Sequence, residues 1–122
     1  MISRHRFRDL KIWQKAMLIT KLTYQCCATF PPDERFGLTS QMRRAAVSIP
    51  SNIAEGAGRG SAKDFSQFLS IVTGSAYELE TQFLLAADFG YLDEIRLKAA
   101  VSELVELQKM LYGFQKSLQP EN

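Results

Sequence analysis

The side chains best able to do chemistry in this chain are its cations. Arg4, Arg6, Arg8, Lys11 and Lys15 crowd the first fifteen positions, and Arg43, Arg44 and Arg59 form a second group. Guanidinium and ammonium groups in such numbers neutralise phosphates, so the chemistry on offer is binding of an anionic polymer. The first 21 residues carry six basic side chains against Asp9 alone, a charge of +5. Residues 61–122 carry five basic and nine acidic ones, a charge of −4. A basic N-terminal segment suits nucleic acid. It equally suits pairing with the acidic second half of the same chain or of a neighbouring subunit. Basic residues interleave with rings at His5-Arg6-Phe7-Arg8 and Lys11-Ile12-Trp13, a pattern that can track phosphates while a ring stacks on a base. Trp13, however, also lies on the main apolar line of its helix, where a core role is the simpler reading.

Bond-making chemistry finds little support. His5 is the only histidine, and a Ser-His-Asp or Cys-His site needs a base held rigidly by packing. The same absence excludes helical-bundle ribonucleases that pair an Arg with a later His. Di-iron bundles need Glu-x-x-His pairs on two helices, and Glu78, Glu80, Glu103 and Glu106 have no histidine beside them. No CxxC zinc pattern occurs. Gly56-Ala57-Gly58-Arg59-Gly60 lacks the preceding strand and lysine of a phosphate-binding loop, so it reads as a turn. Cys26 and Cys27 are adjacent on one helix and cannot readily bond to each other; reduced, buried thiols of a cytoplasmic protein are expected. The expectation is a protein with no catalytic site, metal or cofactor, and no small-molecule substrate.

These cations must be positioned by helices. Gln41, Arg44, Ser48, Asn52, Glu55 and Arg59 recur at steps of three and four and so share one helix face. Leu38, Met42, Ala45, Ile49 and Ile53 make an apolar stripe on the neighbouring face. Pro50 interrupts this helix, removing one hydrogen bond and crowding the Ala46 carbonyl at a cost of roughly 3 kcal/mol. Either the helix kinks there, or Ser48 and Asn52 re-satisfy the freed backbone groups. The small residues around Ser48 invite close approach of another helix. Antiparallel pairing about the glycine turn sets Ser48 roughly opposite Ser70. It brings Arg43 and Arg44 toward Gly74, Ser75 and Glu78, predicting an ion pair of Arg43 or Arg44 with Glu78 or Glu80.

Four helices fit the whole chain, at about 7–29, 39–57, 62–88 and 93–118, and no strand signal competes. Phe30-Pro31-Pro32-Asp33 ends the first, and Thr39 is a plausible N-cap for the second. Gly56, Gly58 and Gly60 form the following turn. Ser61 with Asp64 reads as a capping box for the third helix, Gly90 as its terminator, and Asp93 as the cap of the fourth. Ala100, Leu104, Leu107, Leu111, Phe114 and Leu118 step four and three along that last helix as a heptad seam. Gln119-Pro120-Glu121-Asn122 reads as a frayed tail. With 122 residues, 46% of them hydrophobic, the chain suits one all-α domain: an antiparallel up-down four-helix bundle with a kinked second helix. No apolar run approaches the ~18–20 residues of a membrane span, and no secretory signal follows the N-terminal arginines.

Three stretches together, FRDLKIWQKA, LTSQMRRAAVSIPSNIAEGAGR and DFSQFLSIVTGSAYELETQ, resemble the bacterial four-helix-bundle family of intervening-sequence proteins. Those proteins are encoded in insertions within large-subunit ribosomal RNA genes and elsewhere in bacterial genomes. The resemblance spans about residues 7–118. It implies an up-down bundle assembled as a homopentamer, and kinship with the accessory proteins of diversity-generating retroelements, which bind nucleic acid and a reverse transcriptase. It implies no catalytic residue. It raises interest in Arg43, Arg44 and Arg59; the polar stripe, the glycine turn and the helix pairing, read from the residues themselves, mark Ser48, Pro50, Asn52, Glu55, Gly56 and Glu78 as structural positions. The expected function is therefore a non-enzymatic, oligomeric bundle that binds RNA or other nucleic acid as an accessory factor. The alternative is a protein–protein scaffold whose basic residues are occupied at subunit contacts.

Overall fold

Apolar residues at helical spacing build four helices in chain order: α1 (Lys11–Cys27), α2 (Leu38–Ala57), α3 (Ala62–Asp88) and α4 (Glu94–Ser117). The structure, a computed structural model, describes residues 6–119. Arg4, His5 and the end of the C-terminal tail lie outside the described residues. Consecutive helices pack side by side and α4 closes the ring against α1, leaving α1/α3 and α2/α4 on the diagonals. Thr20–Ala46 with Tyr24–Arg43, Ser48–Ser75 with Gly56–Phe68, and Glu80–Gln108 with Ser66–Gln115 advance along one helix as they retreat along the next, so consecutive helices are antiparallel. The core takes Ile12, Ala16 and Ile19 from α1, and Met42, Ala46, Ile49 and Ile53 from α2. Leu69, Val72, Leu79 and Phe83 of α3 meet them, and Leu104, Leu107 and Leu111 of the heptad seam complete it. Each fully buried side chain of this size contributes about 1.5–3 kcal/mol.

Several ends obey the local signals. The Ser61 hydroxyl accepts from the Asp64 N–H at 3.1 Å, and the Asp93 carboxylate from the Arg96 N–H at 2.8 Å. Gly90 takes φ = 81°, allowing the Tyr91 N–H to reach back to the Ala86 carbonyl at 2.9 Å.

Two ends differ from expectation. The first helix does not begin at Phe7: a 3-10 turn, Phe7–Asp9, precedes α1, and Leu10 between them is extended. On one straight helix, residues 7 and 13 would point about 120° apart. The turn instead folds the Phe7 ring back edge-on to Trp13, with centroids 5.3 Å apart. Thr39 does not cap α2 but is buried within its first turn. The cap comes from Glu34, whose carboxylate accepts from the Leu38 N–H at 3.0 Å and from the Tyr91 hydroxyl at 2.8 Å. Those two bonds, the backbone one first, hold the Glu34 carboxyl below its ordinary pKa.

Pro50 sits buried inside an uninterrupted α2. Having no N–H, it leaves the Ala46 carbonyl without its usual i+4 donor. The replacement comes from another helix: the Thr20 hydroxyl on α1 lies 3.0 Å from that carbonyl and 2.9 Å from its own Ala16 carbonyl. Ser48 and Asn52 do not supply it: their side chains donate to the Ala45 and Ser48 carbonyls, at 2.9 and 2.8 Å, neither of which Pro50 deprives of a donor.

The α2–α3 register also departs from expectation. Ser48 pairs with Ser75, hydroxyl to hydroxyl at 2.7 Å, rather than lying opposite Ser70. Gly56 explains the shift. It belongs to α2, not to the turn, and is buried. A Cβ there would lie 2.7 Å from the Phe68 Cβ and 2.9 Å from the Phe65 ring. The Phe65 and Phe68 side chains lie against the bare Gly56 backbone at that point, a close approach that goes with Ser48 facing Ser75 further along.

Candidate functional site

The cations fall into separate groups. At the end of the bundle where α1 begins and α2 finishes, Arg6 pairs with Asp9 at 3.5 Å and Arg8 lies 5.9 Å from the Phe7 ring centroid. Lys11 is exposed. Arg59, just past α2, pairs with Glu55 at 3.3 Å and lies over the Phe68 ring at 4.7 Å. Lys15 is committed within the fold, its Nζ 2.7 Å from Glu103 Oε2 across the α1–α4 contact. One cation of the basic segment therefore does pair with the acidic second half of its own chain.

A different arrangement occupies the opposite end. Arg43 and Arg44, near the start of α2, and Arg35, in the loop before it, line one open cavity of about 470 Å³ with Tyr24 and Phe36. Arg43 lies on the flank of α2 that continues through Val47, Pro50 and Ala54 toward α1, so its guanidinium covers the Tyr24 ring at 5.0 Å. Its Nε is buried and has no hydrogen-bond partner among the described residues. Arg35 covers the Phe36 ring at 5.2 Å, and that ring is 87% exposed. Stacking holds each guanidinium by its face and leaves the N–H edge available to an anion.

The predicted ion pair of Arg43 or Arg44 with Glu78 or Glu80 does not form. Ion pairs among the described residues involve Arg6, Lys15, Arg59, Arg96 and Lys98. Glu78 instead accepts from Gln82 at 3.3 Å, and Glu80 from Gln108 of α4 at 2.7 Å. For Arg43 the reason is rotational: neighbouring residues on a helix point about 100° apart, so the flank holding Ser48 faces α3 while the flank holding Arg43 faces α1; Arg44, one turn before Ser48, is exposed and lines the cavity instead. Arg35, Phe36 and Tyr24 were missing from the sequence-derived candidates. Their only sequence signal is the Arg35-Phe36 pair beside the Pro31-Pro32 turn, and the contact with α2 depends on how α1 returns.

Other chemistry is muted. Burial pushes the Cys27 thiol up to about 11 and raises Cys26 as well, so neither is a thiolate nucleophile or ready metal ligand at neutral pH. No group of His, Cys, Asp and Glu among the described residues is arranged to hold a metal ion. No helix there is long and apolar enough to cross a membrane.

Comparison with known proteins agrees with this architecture. A solved structure described as a protein of unknown function from the S23 ribosomal protein family, from Bacteroides thetaiotaomicron VPI-5482, superposes with a TM-score of 0.77 at 22% identity. The match covers 86% of this chain and 98% of that one. No curated protein matches the chain at a significant level. The profile of the 23S rRNA-intervening sequence proteins matches residues 8–113, nearly the entire helical body. No enzymatic activity attaches to either description. The chain belongs to the 23S rRNA-intervening sequence protein family.

Proposed function

We propose that this protein is a non-enzymatic, oligomeric helical bundle that binds RNA or other nucleic acid through basic residues, as an accessory to a larger machine. The observation that carries the reading is the gathering of Arg35, Arg43 and Arg44 on one open cavity with no carboxylate in its lining. Unneutralised cations of this kind repel one another, and a fold tolerates them when an anion relieves the repulsion. Two further basic sites, around Arg6, Arg8 and Lys11 and at Arg59, extend the phosphate-binding surface along the α1–α2 side. Affinity would come mainly from phosphate neutralisation and would be multiplied by symmetric copies, with little sequence readout.

Binding of structured RNA, followed by filter retention or anisotropy, should weaken by orders of magnitude between about 50 and 200 mM salt. Binding that ignores salt contradicts the mechanism. Sedimentation equilibrium at the same salt should give the pentamer, a mass five times the 13.8 kDa chain. A second reading, a protein-interaction scaffold, draws on Lys15–Glu103 and on exposed Ile71, Tyr77 and Leu84 along α3. A purified oligomer that ignores RNA at low salt would favour it.

A further inference from the structure

We propose that the Arg35–Arg43–Arg44 cavity is a recognition site for a phosphate monoester, specifically the terminal phosphate of a nucleoside or oligonucleotide. The proposal rests on the nucleic-acid reading above and specifies what this one site takes. Three guanidiniums line the same cavity, and among the described residues none of them is in an ion pair. An internal phosphodiester carries one negative charge, whereas a terminal monoester carries close to two above its second pKa of about 6. A lining with three positive charges and no acidic side chain matches the dianion better. The guanidinium fork also donates in pairs to phosphate oxygens, which a lysine cannot do.

Two details point to a built site rather than a chance gathering of surface charge. The base of the Arg43 guanidinium, at Nε, is already withdrawn from solvent, and the Ser40 hydroxyl stands in the same lining as a further donor. The Arg43 and Arg35 guanidiniums are each held against an aromatic face, at 5.0 and 5.2 Å, so little freedom remains to be lost when they bind. The exposed Phe36 ring offers a surface on which the terminal base can stack. At about 470 Å³ the open cavity has room for one nucleotide.

The test compares one short oligoribonucleotide carrying a 5′-phosphate, a 3′-phosphate or hydroxyls at both ends, by anisotropy at physiological salt, with a nucleoside 5′-monophosphate titrated by calorimetry. A phosphorylated form should bind about tenfold tighter than the hydroxyl form, equivalent to about 1.4 kcal/mol. That preference should fade below about pH 6 as the monoester takes up a proton. Arg44→Gln and Arg35→Gln should each erase the preference, and Arg43→Lys should reduce it while keeping the charge. Lys98→Gln, on the far side of the bundle, should leave it intact. Binding of the free monophosphate identifies a nucleotide pocket; binding of the phosphorylated oligomer alone identifies a chain end. Equal affinity for phosphate and hydroxyl ends, a preference that survives Arg35→Gln/Arg44→Gln, or equal binding of an acidic peptide would overturn the proposal. Salt-sensitive RNA binding that shows no end preference removes this site assignment and leaves the broader reading standing, whereas loss of all RNA binding removes both.

Discussion

Ser48 and Arg43 lie five residues apart on α2, yet their surroundings are opposite. Ser48 faces α3, where its hydroxyl meets Ser75, Asn52 bonds back to the Ser48 carbonyl, and Gly56 lets the Phe65 and Phe68 side chains lie against the α2 backbone. Arg43 faces α1 and an open cavity, with its charge stacked on Tyr24 and its Nε unsatisfied among the described residues. On the first flank the polar groups answer one another inside the bundle. On the second they are left for something outside it. Much of a polar stripe can therefore be structural, while Arg44 at its exposed start and Arg43 on the neighbouring flank open onto the cavity. Residue type alone does not separate the two roles; the direction each side chain faces does.

Attacking the α3 flank should produce the largest effect. Gly56→Val adds atoms where a single Cβ already meets Phe68 and Phe65 below 3 Å, and should destabilise the bundle by about 3 kcal/mol. Urea unfolding measures this; a variant within about 0.5 kcal/mol of the parent would mean that the close approach does not set the α2–α3 packing.

A second substitution tests the α1 flank where it is structural. Thr20→Val leaves the Ala46 carbonyl without the hydroxyl that replaces the missing Pro50 N–H, and should cost about 1–2 kcal/mol. Paired with Pro50→Ala, which supplies an N–H at that position, the Thr20→Val cost should shrink by more than about 0.5 kcal/mol. Strict additivity in the double-mutant cycle would break the link between the two residues.

The smallest effect concerns the cap that opens α2. Because the folded Glu34 carboxyl titrates below its ordinary value, its stabilisation is present above the ordinary carboxylate range. It is lost as pH falls through the folded value. Glu34→Gln should lower the unfolding midpoint slightly at neutral pH and converge with the parent in acid, so the acid limb of a plot of midpoint against pH flattens. An unaltered acid limb would remove Glu34 as the cap.

The bounds of α3 and α4 were legible because local chemistry sets them: Ser61, Gly90 and Asp93 act on backbone groups within four residues of themselves. The heptad seam was legible because its period is a property of one helix. What escaped depends on two helices at once. Gly56 looks like a turn residue until the Phe65 and Phe68 side chains are laid across it. Thr20 carries no signal of its role, since the carbonyl it serves lies 26 positions away. The Arg43 error came from placing a residue correctly along α2 but not around it. Arg44 and Arg43 were found as candidates, whereas Arg35 and Phe36 entered only once the loop before α2 was seen to fold over the same cavity.

The most direct measurement is the salt dependence of RNA affinity for Arg35→Gln/Arg44→Gln beside the parent protein, with the urea midpoint recorded on the same samples. The expected result is a slope of log affinity against log salt that is shallower by about two, at an unchanged midpoint. An unchanged slope, or a slope that falls only because the variant has unfolded, would contradict the assignment of this flank to an external anion.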